Sequence, residues 1–357
     1  SWSNMIGHRE IIERFARLVA RDKLASTFLF VGPEGIGKRL FAEGLAEVLL
    51  CQRREAGSFA ACGQCPSCIQ VRSQSHPDVL RVEKPEDKNV LPIELFVGDR
   101  EHRAEEGMCR DIRLKPTAGS RKIAIIDDAD YLNQESANVL LKTLEEPPPR
   151  AVIILIGTSP QRQLPTILSR CQLVSFSPLA PEEVALILER MTDLETTIPL
   201  TELSAASMGS IKIARRLADP VVFEFRTNWF EQLATLDPGQ DEFGTTIVKF
   251  SENNTKEAAE KRENLYFVAD LGIHFYRQLL ARILGQPFTA DSALKAATEA
   301  AAVRWQASLS LLGRSIERLC DFQAHVEANA NAANAVDPLL SDLRRLARGH
   351  RALLPQT

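Results

Sequence analysis

The sequence predicts an α/β domain followed by an all-α region. In the first half of the chain, short apolar runs that fit buried strands alternate with segments of helical spacing. Strands that alternate with helices are typical of a parallel sheet covered on both faces. After Asp219-Pro220 the strand pattern does not return, and the remaining segments have helical spacing. A length of 357 residues is enough for two or three domains.

Five apolar runs are the predicted strands, and most are rich in Val, Ile and Leu with little alternation, as expected for strands buried on both faces. They span residues 27–31, 78–82, 122–127, 151–157 and 172–176. The spacing of apolar residues predicts helices around these strands, at residues 8–21, 38–50 and 133–145. In the all-α region, the candidate helices include residues 255–284, 305–328 and 338–347.

The composition is that of an ordinary globular protein, with 45% hydrophobic and 25% charged residues. A formal net charge of −4 gives no sign of a strongly basic nucleic-acid surface, although it leaves room for a local basic stripe. Charged residues interrupt residues 1–18, where a signal peptide would need an apolar run. No apolar run approaches the ~18–20 residues of a membrane span. We therefore expect a cytoplasmic protein without membrane contact.

A phosphate loop is predicted between the first strand and the helix that follows it. The pattern G-x-x-x-x-G-K-[ST] needs glycines so that backbone N–H groups can surround phosphates, a lysine to neutralise them, and a hydroxyl to hold Mg²⁺. Gly32, Gly35, Gly37 and Lys38 are present, but Arg39 stands where Ser or Thr is required. Because the metal supplies much of the charge neutralisation in phosphoryl transfer, we expect the shape of a nucleotide motor without its full chemistry.

Two carboxylates, Asp127 and Asp128, end the third predicted strand. At this position the first carboxylate can reach Mg²⁺ beside the phosphate loop, and the second position normally carries a Glu that polarises the attacking water. Asp128 is one methylene shorter than Glu, and catalysis is sensitive to misplacement by about 1 Å. The alternative is an acidic pair that caps a strand.

Four of the seven cysteines, Cys51, Cys62, Cys65 and Cys68, form the pattern C-x10-C-x2-C-x2-C. In a reducing compartment such a cluster indicates a metal more than disulfides. Four thiolates satisfy tetrahedral Zn²⁺, and without an open coordination position the metal would be structural. An iron–sulfur cluster or free thiols remain the alternatives.

The order of motifs along the chain resembles that of the clamp-loader subunits of bacterial DNA polymerase III, which belong to the AAA+ ATPase class. The resemblance covers about residues 2–217, and the helical remainder matches mainly in class and length. Besides the phosphate loop and the cysteines, the motifs that carry it are His76-Pro77-Asp78, I-I-D-D-A-D at residues 125–130, L-L-K-T-L-E-E-P-P at residues 140–148, and Ser169-Arg170-Cys171.

The resemblance implies an AAA+ parallel-sheet domain over residues 1–177 that contains the zinc module at residues 51–68. It also implies a small helical lid at residues 178–218 and a helical collar at residues 219–357. The implied partners are a gamma- or tau-like ATPase and a delta-like subunit in a hetero-pentameric ring. Such a ring opens a sliding clamp and loads it on primed DNA.

Individual roles follow from the same resemblance. Lys38 resembles the phosphate-binding lysine, Asp127 the Mg²⁺ ligand, and Thr158 the sensor after the fourth core strand. A hydroxyl that bonds to backbone is the alternative for Thr158. Arg170 resembles an arginine finger that serves the adjacent ATPase subunit, whereas composition alone would make it a solvated surface charge. The four cysteines resemble the zinc module of the family.

The departures from the family pattern concern the nucleotide site. Arg39 replaces the metal-binding hydroxyl, and Asp128 stands at the position of the catalytic Glu. In the lid, Gly209-Ser210-Ile211-Lys212 resembles the second sensor segment, with Lys212 where active subunits carry Arg. Lysine keeps the charge but lacks the planar fork that grips phosphate. We therefore expect weak binding of ATP or ADP and little hydrolysis.

Three functions are compatible with these features. The first is a structural and regulatory clamp-loader subunit that donates Arg170 to a neighbouring ATPase and has weak or no ATPase of its own. The second is an active gamma-like motor, which would need Ser or Thr after Lys38. The third is a zinc-dependent nucleic-acid binder, but positive charges are few and aromatic residues for base stacking nearly absent around the cysteines.

Overall fold

The structure, a computed structural model, describes residues 2, 5–55, 57–102, 105–235, 243–253, 255, 257–287, 290–305, 309–328 and 332–351. The chain divides into two compact units. The first consists of Ser1–Arg190 and Met208–Ile213, and the second of Met191–Ser207 and Ala214–Thr357. The division into three domains that the resemblance implies stays a prediction.

A parallel sheet of five strands forms the centre of the first unit, in the order β2-β3-β4-β1-β5. The strands are β1 (Thr27–Val31), β2 (Val79–Val82), β3 (Lys122–Ile126), β4 (Ala151–Gly157) and β5 (Gln172–Ser175). All residues of β1, β3 and β4 are buried, which explains why these strands show no alternation of polar and apolar residues. The predicted fold class, a parallel α/β unit followed by helices, is confirmed.

Helices cover both faces of this sheet. Side chains alternate along β1, so Phe28 and Phe30 enter a core shared with the first two helices, whereas Leu29 and Val31 enter the core on the opposite face. The first core is aromatic, and Phe30 contacts Phe15 edge-on. The helices up to the last strand are α1 (Arg9–Ala20), α2 (Lys38–Leu50), α3 (Pro66–Arg72), α4 (Glu94–Val97), α5 (Met108–Asp111), α6 (Gln134–Glu145) and α7 (Pro165–Leu168).

Three short helices follow the sheet: α8 (Pro181–Glu189), α9 (Leu200–Ala206) and α10 (Ile211–Leu217). Within the first unit, the residues just before α10 return to the end of the sheet. The Leu179 N–H donates to the Gly209 carbonyl oxygen at 3.0 Å. Gly209 has a φ of 72°, and a Cβ there would lie 2.5 Å from the Leu179 carbonyl oxygen, so this close approach requires glycine.

The second unit is helical in the part that the structure describes, as predicted for the chain after residue 219. Its longer helices are α11 (Pro220–Thr235), α12 (Phe243–Glu252), α13 (Ala258–Ile283), α14 (Ser292–Trp305), α15 (Leu309–Ala328) and α16 (Val336–Arg351). The helix predicted at residues 305–328 includes residues 306–308, which lie outside the described residues. Among the described helices, none is long and apolar enough to cross a lipid bilayer.

A fully buried ion pair joins two helices of the second unit. Arg226 of α11 pairs with Asp291, which directly precedes α14. Asp291 Oδ1 also accepts the Ala293 N–H at 3.0 Å, so the same carboxylate caps the start of α14. Removing one partner of such a pair leaves an unpaired buried charge, which costs about 3–5 kcal/mol. The pair therefore fixes the start of α14 against α11.

Candidate functional site

The phosphate loop joins the carboxyl end of β1 to the first turn of α2. Gly32, Gly35 and Gly37 have φ angles of 149°, 71° and 102°, in the region that favours glycine. A Cβ on Gly32 would lie 2.3 Å from the Phe176 carbonyl oxygen, so no larger residue fits without a shift of the backbone. The loop therefore has the backbone shape that curves around an anion at a helix N-terminus.

The ammonium group of Lys38 lies inside the loop. It donates hydrogen bonds to the carbonyl oxygens of Gly32 and Pro33, each at 2.6 Å. Burial lowers the pKa of Lys38, and the nearby carboxylates of Glu34 and Asp127 act in the opposite direction. A phosphate bound by Lys38 would have to replace these two carbonyl contacts.

The Arg39 guanidinium lies against carboxylates that follow two paired strands. Its Nη1 is 2.7 Å from Glu83 Oε2 and 3.5 Å from Asp127 Oδ2. Glu83 follows β2 and Asp127 follows β3, and these strands are neighbours in the sheet. Because successive residues of a helix point about 100° apart, Lys38 is directed into the loop while Arg39 reaches the strand ends.

Asp127 and Asp128 are held by different contacts. Burial raises the pKa of Asp127, and its Oδ1 accepts the Asp128 N–H at 3.0 Å. Asp128 has a φ of 55°, which is uncommon for a residue other than glycine. Its Oδ2 accepts the Lys84 backbone N–H at 3.4 Å. One oxygen of the carboxylate at the position of the catalytic Glu is therefore engaged with the backbone after β2.

A Mg²⁺ ion does not fit this set of side chains. Magnesium is usually held by one or two carboxylates, substrate phosphates and waters, and in phosphate loops by the hydroxyl after the lysine. Residue 39 has no such hydroxyl, and the remaining ligand, Asp127, lies next to the Arg39 guanidinium. The role of Asp127 as a metal ligand stays a prediction, and this arrangement speaks against it.

Asp130 organises the end of β4. Its carboxylate accepts hydrogen bonds from the Thr158 N–H at 2.9 Å, from the Thr158 hydroxyl, and from the Gln163 side-chain amide. The Thr158 carbonyl oxygen in turn accepts the Gly32 N–H at 3.0 Å, which connects the phosphate loop to β4. Thr158, predicted as a sensor, thus bonds to a carboxylate of its own chain. Sequence reasoning assigned no role to Asp130, although it is the third carboxylate of the D-D-A-D run.

The residues at the start of α10 contact the phosphate loop from outside. Ser210 Oγ donates to the Glu34 carbonyl oxygen at 2.7 Å, and the Ile211 N–H donates to the Gly35 carbonyl oxygen at 2.9 Å. Lys212 Nζ is 2.8 Å from Glu34 Oε2. The predicted second sensor segment is therefore at the loop, but the charge of Lys212 is paired with a carboxylate of the loop itself.

The four cysteines form a compact cluster between the C-terminus of α2 and the first turn of α3. The sulfur atoms of Cys51, Cys62, Cys65 and Cys68 all lie within 4.8 Å of one another. Four thiolates bound to one tetrahedral Zn²⁺ at about 2.3 Å have their sulfur atoms about 3.8 Å apart. The cluster therefore fits a single zinc ion.

Backbone donors support thiolates in this cluster. The Cys62 N–H donates to Cys51 Sγ at 3.3 Å, and the Cys65 N–H donates to Cys62 Sγ at 3.4 Å. Burial raises the pKa of the Cys65 thiol, but hydrogen bonds that include the Cys68 and Gln52 backbone outweigh it and lower the pKa to about 6. Elsewhere in the described part of the chain, no three His, Cys, Asp or Glu side chains are grouped closely enough to hold a metal.

The H-P-D motif connects the cysteine module to the sheet. His76 is buried, and its Nδ1 accepts the Asp78 N–H at 3.1 Å, so its Nε2 carries the proton and donates to Ser67 Oγ in α3 at 2.7 Å. Burial lowers the pKa of His76, which favours this neutral form. The Asp78 carboxylate accepts the N–H groups of residues 117–119 at 2.7 to 2.8 Å. The motif thus has a structural role that its pattern did not reveal.

Arg170 lies between α7 and β5 with 30% of its side chain exposed. Its Nε donates to Glu145 Oε1 at 2.7 Å, and its Nη1 donates to the Thr166 carbonyl oxygen at 2.9 Å. The Arg170 carbonyl oxygen accepts the Thr27 hydroxyl at 2.8 Å, which fixes the backbone to β1. To reach a phosphate of another chain, the guanidinium would have to leave Glu145.

Comparison with known proteins shows that the first part of the chain is similar to subunits of DNA polymerase III. Residues 7–180 match the family model described as DNA polymerase III, delta subunit. The chain is 35% identical over 223 residues to the DNA polymerase III subunit delta′ of Pseudomonas aeruginosa, which covers 62% of this chain and 64% of that protein. It is 29% identical over 231 residues to the subunit tau/gamma of Haemophilus influenzae, covering 62% and 31%. The matched part spans less than two thirds of each relative.

Solved structures with a similar arrangement include two proteins of Thermotoga maritima. A gamma subunit-related protein of DNA polymerase III has a TM-score of 0.40 and 18% identity, covering 94% of this chain and 99% of that one. A RuvB protein has a TM-score of 0.39 and 18% identity, covering 71% and 78%.

Delta′ subunits occur more than once among these relatives. A second relative of this type is the DNA polymerase III subunit delta′ of Bacillus subtilis, which is 28% identical over 222 residues, 61% of each chain. Over residues 7–180, the chain is therefore similar to the family described as DNA polymerase III, delta subunit.

Proposed function

We propose that the chain is a delta′-type subunit of the clamp loader of DNA polymerase III. In this role it is a structural and regulatory member, in the cytoplasm, of the ring that loads a sliding clamp on primed DNA. The observation that supports the proposal is the contact of Arg39 with Asp127, which places a guanidinium beside the carboxylate expected to bind the metal, in a chain whose residues 7–180 match this family model. A subunit without a working nucleotide site contributes to the ring through its neighbours.

We infer that Arg170 is the group donated to a neighbouring ATPase subunit. Its guanidinium is partly exposed and its backbone is fixed by the Thr27 hydroxyl. In the isolated chain, Glu145 neutralises the Arg170 guanidinium. The phosphates of a bound nucleotide carry more negative charge and would compete with Glu145 for this guanidinium. An arginine finger stabilises the charge that develops on the transferred phosphoryl group.

The proposed assembly is a hetero-pentameric ring with gamma- or tau-like ATPase subunits and a delta-like subunit. In it, residues 1–177 act as the AAA+ domain, residues 178–218 as the lid and residues 219–357 as the collar that holds the subunits together. The helical character of the second unit supports a collar. Nucleotide binding at the phosphate loop is weak in this proposal.

We further propose one structural Zn²⁺, held by the four cysteines. The fit of the four sulfur atoms to one tetrahedral ion supports it. Because all four coordination positions are taken by thiolates, the ion would contribute folding energy to the module and no chemistry.

The test is the DNA- and clamp-stimulated ATPase of the reconstituted loader with Arg170→Ala. We expect a large loss of turnover, because an arginine finger raises the rate of phosphoryl transfer by about 10³–10⁵-fold at the site that it serves. Arg170→Lys is expected to recover little, since lysine keeps the charge without the planar fork. Phosphate release measures the rate, and gel filtration verifies that the ring is intact.

Arg9→Ala is the matched control, because Arg9 is an exposed arginine of α1 whose ion pair with Glu13 contributes little. It should leave turnover unchanged. An intact ring that hydrolyses ATP at the wild-type rate with Arg170→Ala would exclude the finger role.

A gamma-like motor subunit is a second candidate function, favoured by the similarity to the tau/gamma subunit of Haemophilus influenzae. Arg39 and the engaged Asp128 carboxylate count against it. ATP hydrolysis by the isolated chain distinguishes the two functions.

A further inference from the structure

Arg39 occupies the side of the phosphate loop where the sequence pattern requires a metal-binding hydroxyl. Its Nη1 contacts both Glu83 and Asp127, at 2.7 and 3.5 Å, although these residues are 44 and 88 positions away in the chain. The contact depends on the pairing of β2 with β3, which brings both carboxylates to one edge of the sheet. It is therefore a feature of the folded site and not of the loop alone.

Every carboxylate around the loop has a donor from the chain itself. Glu83 and Asp127 have Arg39, and Asp128 accepts the Lys84 N–H. Asp130 is engaged by the Thr158 N–H and hydroxyl and by the Gln163 amide, and Glu34 is paired with Lys212. A divalent cation that bound these carboxylates would therefore have to displace partners that the chain already supplies.

We infer that the Arg39 guanidinium replaces the divalent cation of this site. It keeps Mg²⁺ away from Asp127, so any nucleoside di- or triphosphate that enters the loop binds there without a metal ion. The inference rests on the proposed weak nucleotide site and is independent of the donation of Arg170. It assigns to Arg39 a specificity-determining role beyond the loss of a hydroxyl.

The chemistry of arginine suits this role. A guanidinium stays protonated in proteins, so the positive charge beside Asp127 is permanent and repels a divalent ion at every physiological pH. Its planar fork also binds phosphate oxygens, as a metal ion would. Lys38 and Arg39 then provide two fixed positive charges in the first turn of α2, where an ordinary phosphate loop has a lysine and a metal ion.

The test compares ADP binding to the full-length wild-type chain and to Arg39→Thr, with and without Mg²⁺, by isothermal titration calorimetry. Metal-free buffer is used without chelator, since a chelator would also act on the cysteine cluster. In the wild-type chain, Mg²⁺ is expected not to tighten ADP binding, and to weaken it to the extent that Mg²⁺ complexes free ADP in solution. In Arg39→Thr it is expected to tighten binding by about tenfold or more, because the new hydroxyl and Asp127 together hold a metal that bridges phosphate oxygens.

Two further variants isolate the cause. Arg39→Lys keeps the charge, so Mg²⁺ should not increase its affinity for ADP. Adding Asp127→Asn to Arg39→Thr should abolish the increase in ADP affinity that Mg²⁺ causes in Arg39→Thr. Electron paramagnetic resonance of Mn²⁺ with ADP gives an independent readout, with bound Mn²⁺ expected in Arg39→Thr alone. Arg9→Thr on α1 is the matched control for the loss of an exposed arginine.

Either of two results overturns the inference. One is a clear increase in the ADP affinity of the wild-type chain when Mg²⁺ is added, and this result does not depend on any variant. The other is the absence of a gain in Arg39→Thr, or in Arg39→Ser if the threonine variant does not fold by circular dichroism. Neither result bears on Arg170, whose role is measured on the nucleotide of a neighbouring subunit.

Discussion

Asp78 directly precedes β2, and its side chain is fully buried. Burial alone would raise its pKa, but the N–H groups of residues 117–119 and the Lys122 ammonium outweigh burial, so the pKa is lowered from its usual 3.8. The folded chain therefore binds this proton less tightly than the unfolded chain. The carboxylate stabilises the fold above about pH 3.8, and this stability is lost as the pH falls from there through the lower pKa of the folded state.

Asp78→Asn is expected to lower the free energy of unfolding at pH 7 by about 2–3 kcal/mol, since the N–H groups of residues 117–119 lose a charged acceptor. The difference between the two proteins should shrink as the pH falls below about 3.8, where the Asp78 carboxylate of the unfolded wild-type chain takes up its proton while that of the folded chain stays ionised. Urea denaturation at a series of pH values measures the difference in the free energy of unfolding. Asp22→Asn, at an exposed carboxylate, is the control and should change little. A difference that stays constant down to about pH 3 would contradict the assignment.

Among the elements, α3 depends strongly on its surroundings. It has seven residues, and helices that short are not stable in isolation. Cys65 and Cys68 place its first turn in the sulfur cluster, and Ser67 receives the hydrogen bond from His76. Near its C-terminus, Arg72 pairs with the buried Glu47 of α2 at 2.8 Å. These two contacts, together with the proposed Zn²⁺ ion, hold α3 in place.

Removal of zinc is therefore expected to unfold the module around α3 before the sheet. Protein purified without chelator should contain one zinc per chain, and Cys65→Ser should lose it because a structural site needs all four thiolates. Hydrogen exchange should rise at residues 66–72 and stay low at α6, whose apolar face is buried against the sheet. Cys109→Ser, at a cysteine outside the cluster, should retain the metal. A wild-type chain without zinc would argue against the site.

At the scale of the whole molecule, the sequence predicted the sheet well and the second unit less completely. All five strands were predicted to within one residue at each end, because buried parallel strands are continuous apolar runs. The helices α11, α12 and α14 were not predicted individually. The sequence of α14 is rich in alanine, so its two faces differ little in hydrophobicity and the helical period is weak.

In the candidate site, the residue types were predicted but not their partners. The missing hydroxyl at residue 39 is visible in the sequence, whereas the contact of Arg39 with Glu83 and Asp127 depends on the order of the strands. The left-handed backbone of Asp128 and the hydrogen bonds of Asp130 likewise arise from packing between distant segments. Side-chain direction at strand ends is set by these tertiary contacts, which no local pattern records.

Because these contacts act together, the isolated chain is expected to have negligible ATPase. Metal binding is blocked by Arg39, the Asp128 carboxylate is engaged with the Lys84 N–H, and the Thr158 hydroxyl is engaged with Asp130. Arg39→Thr is expected to restore Mg²⁺-dependent binding but not hydrolysis, since the other two contacts remain. Single-turnover experiments with radiolabelled ATP measure the rate of hydrolysis by the wild-type chain and by Arg39→Thr, and Lys38→Ala gives the background rate. Turnover comparable to that of an active AAA+ motor, abolished by Lys38→Ala, would assign the chain to the motor class instead.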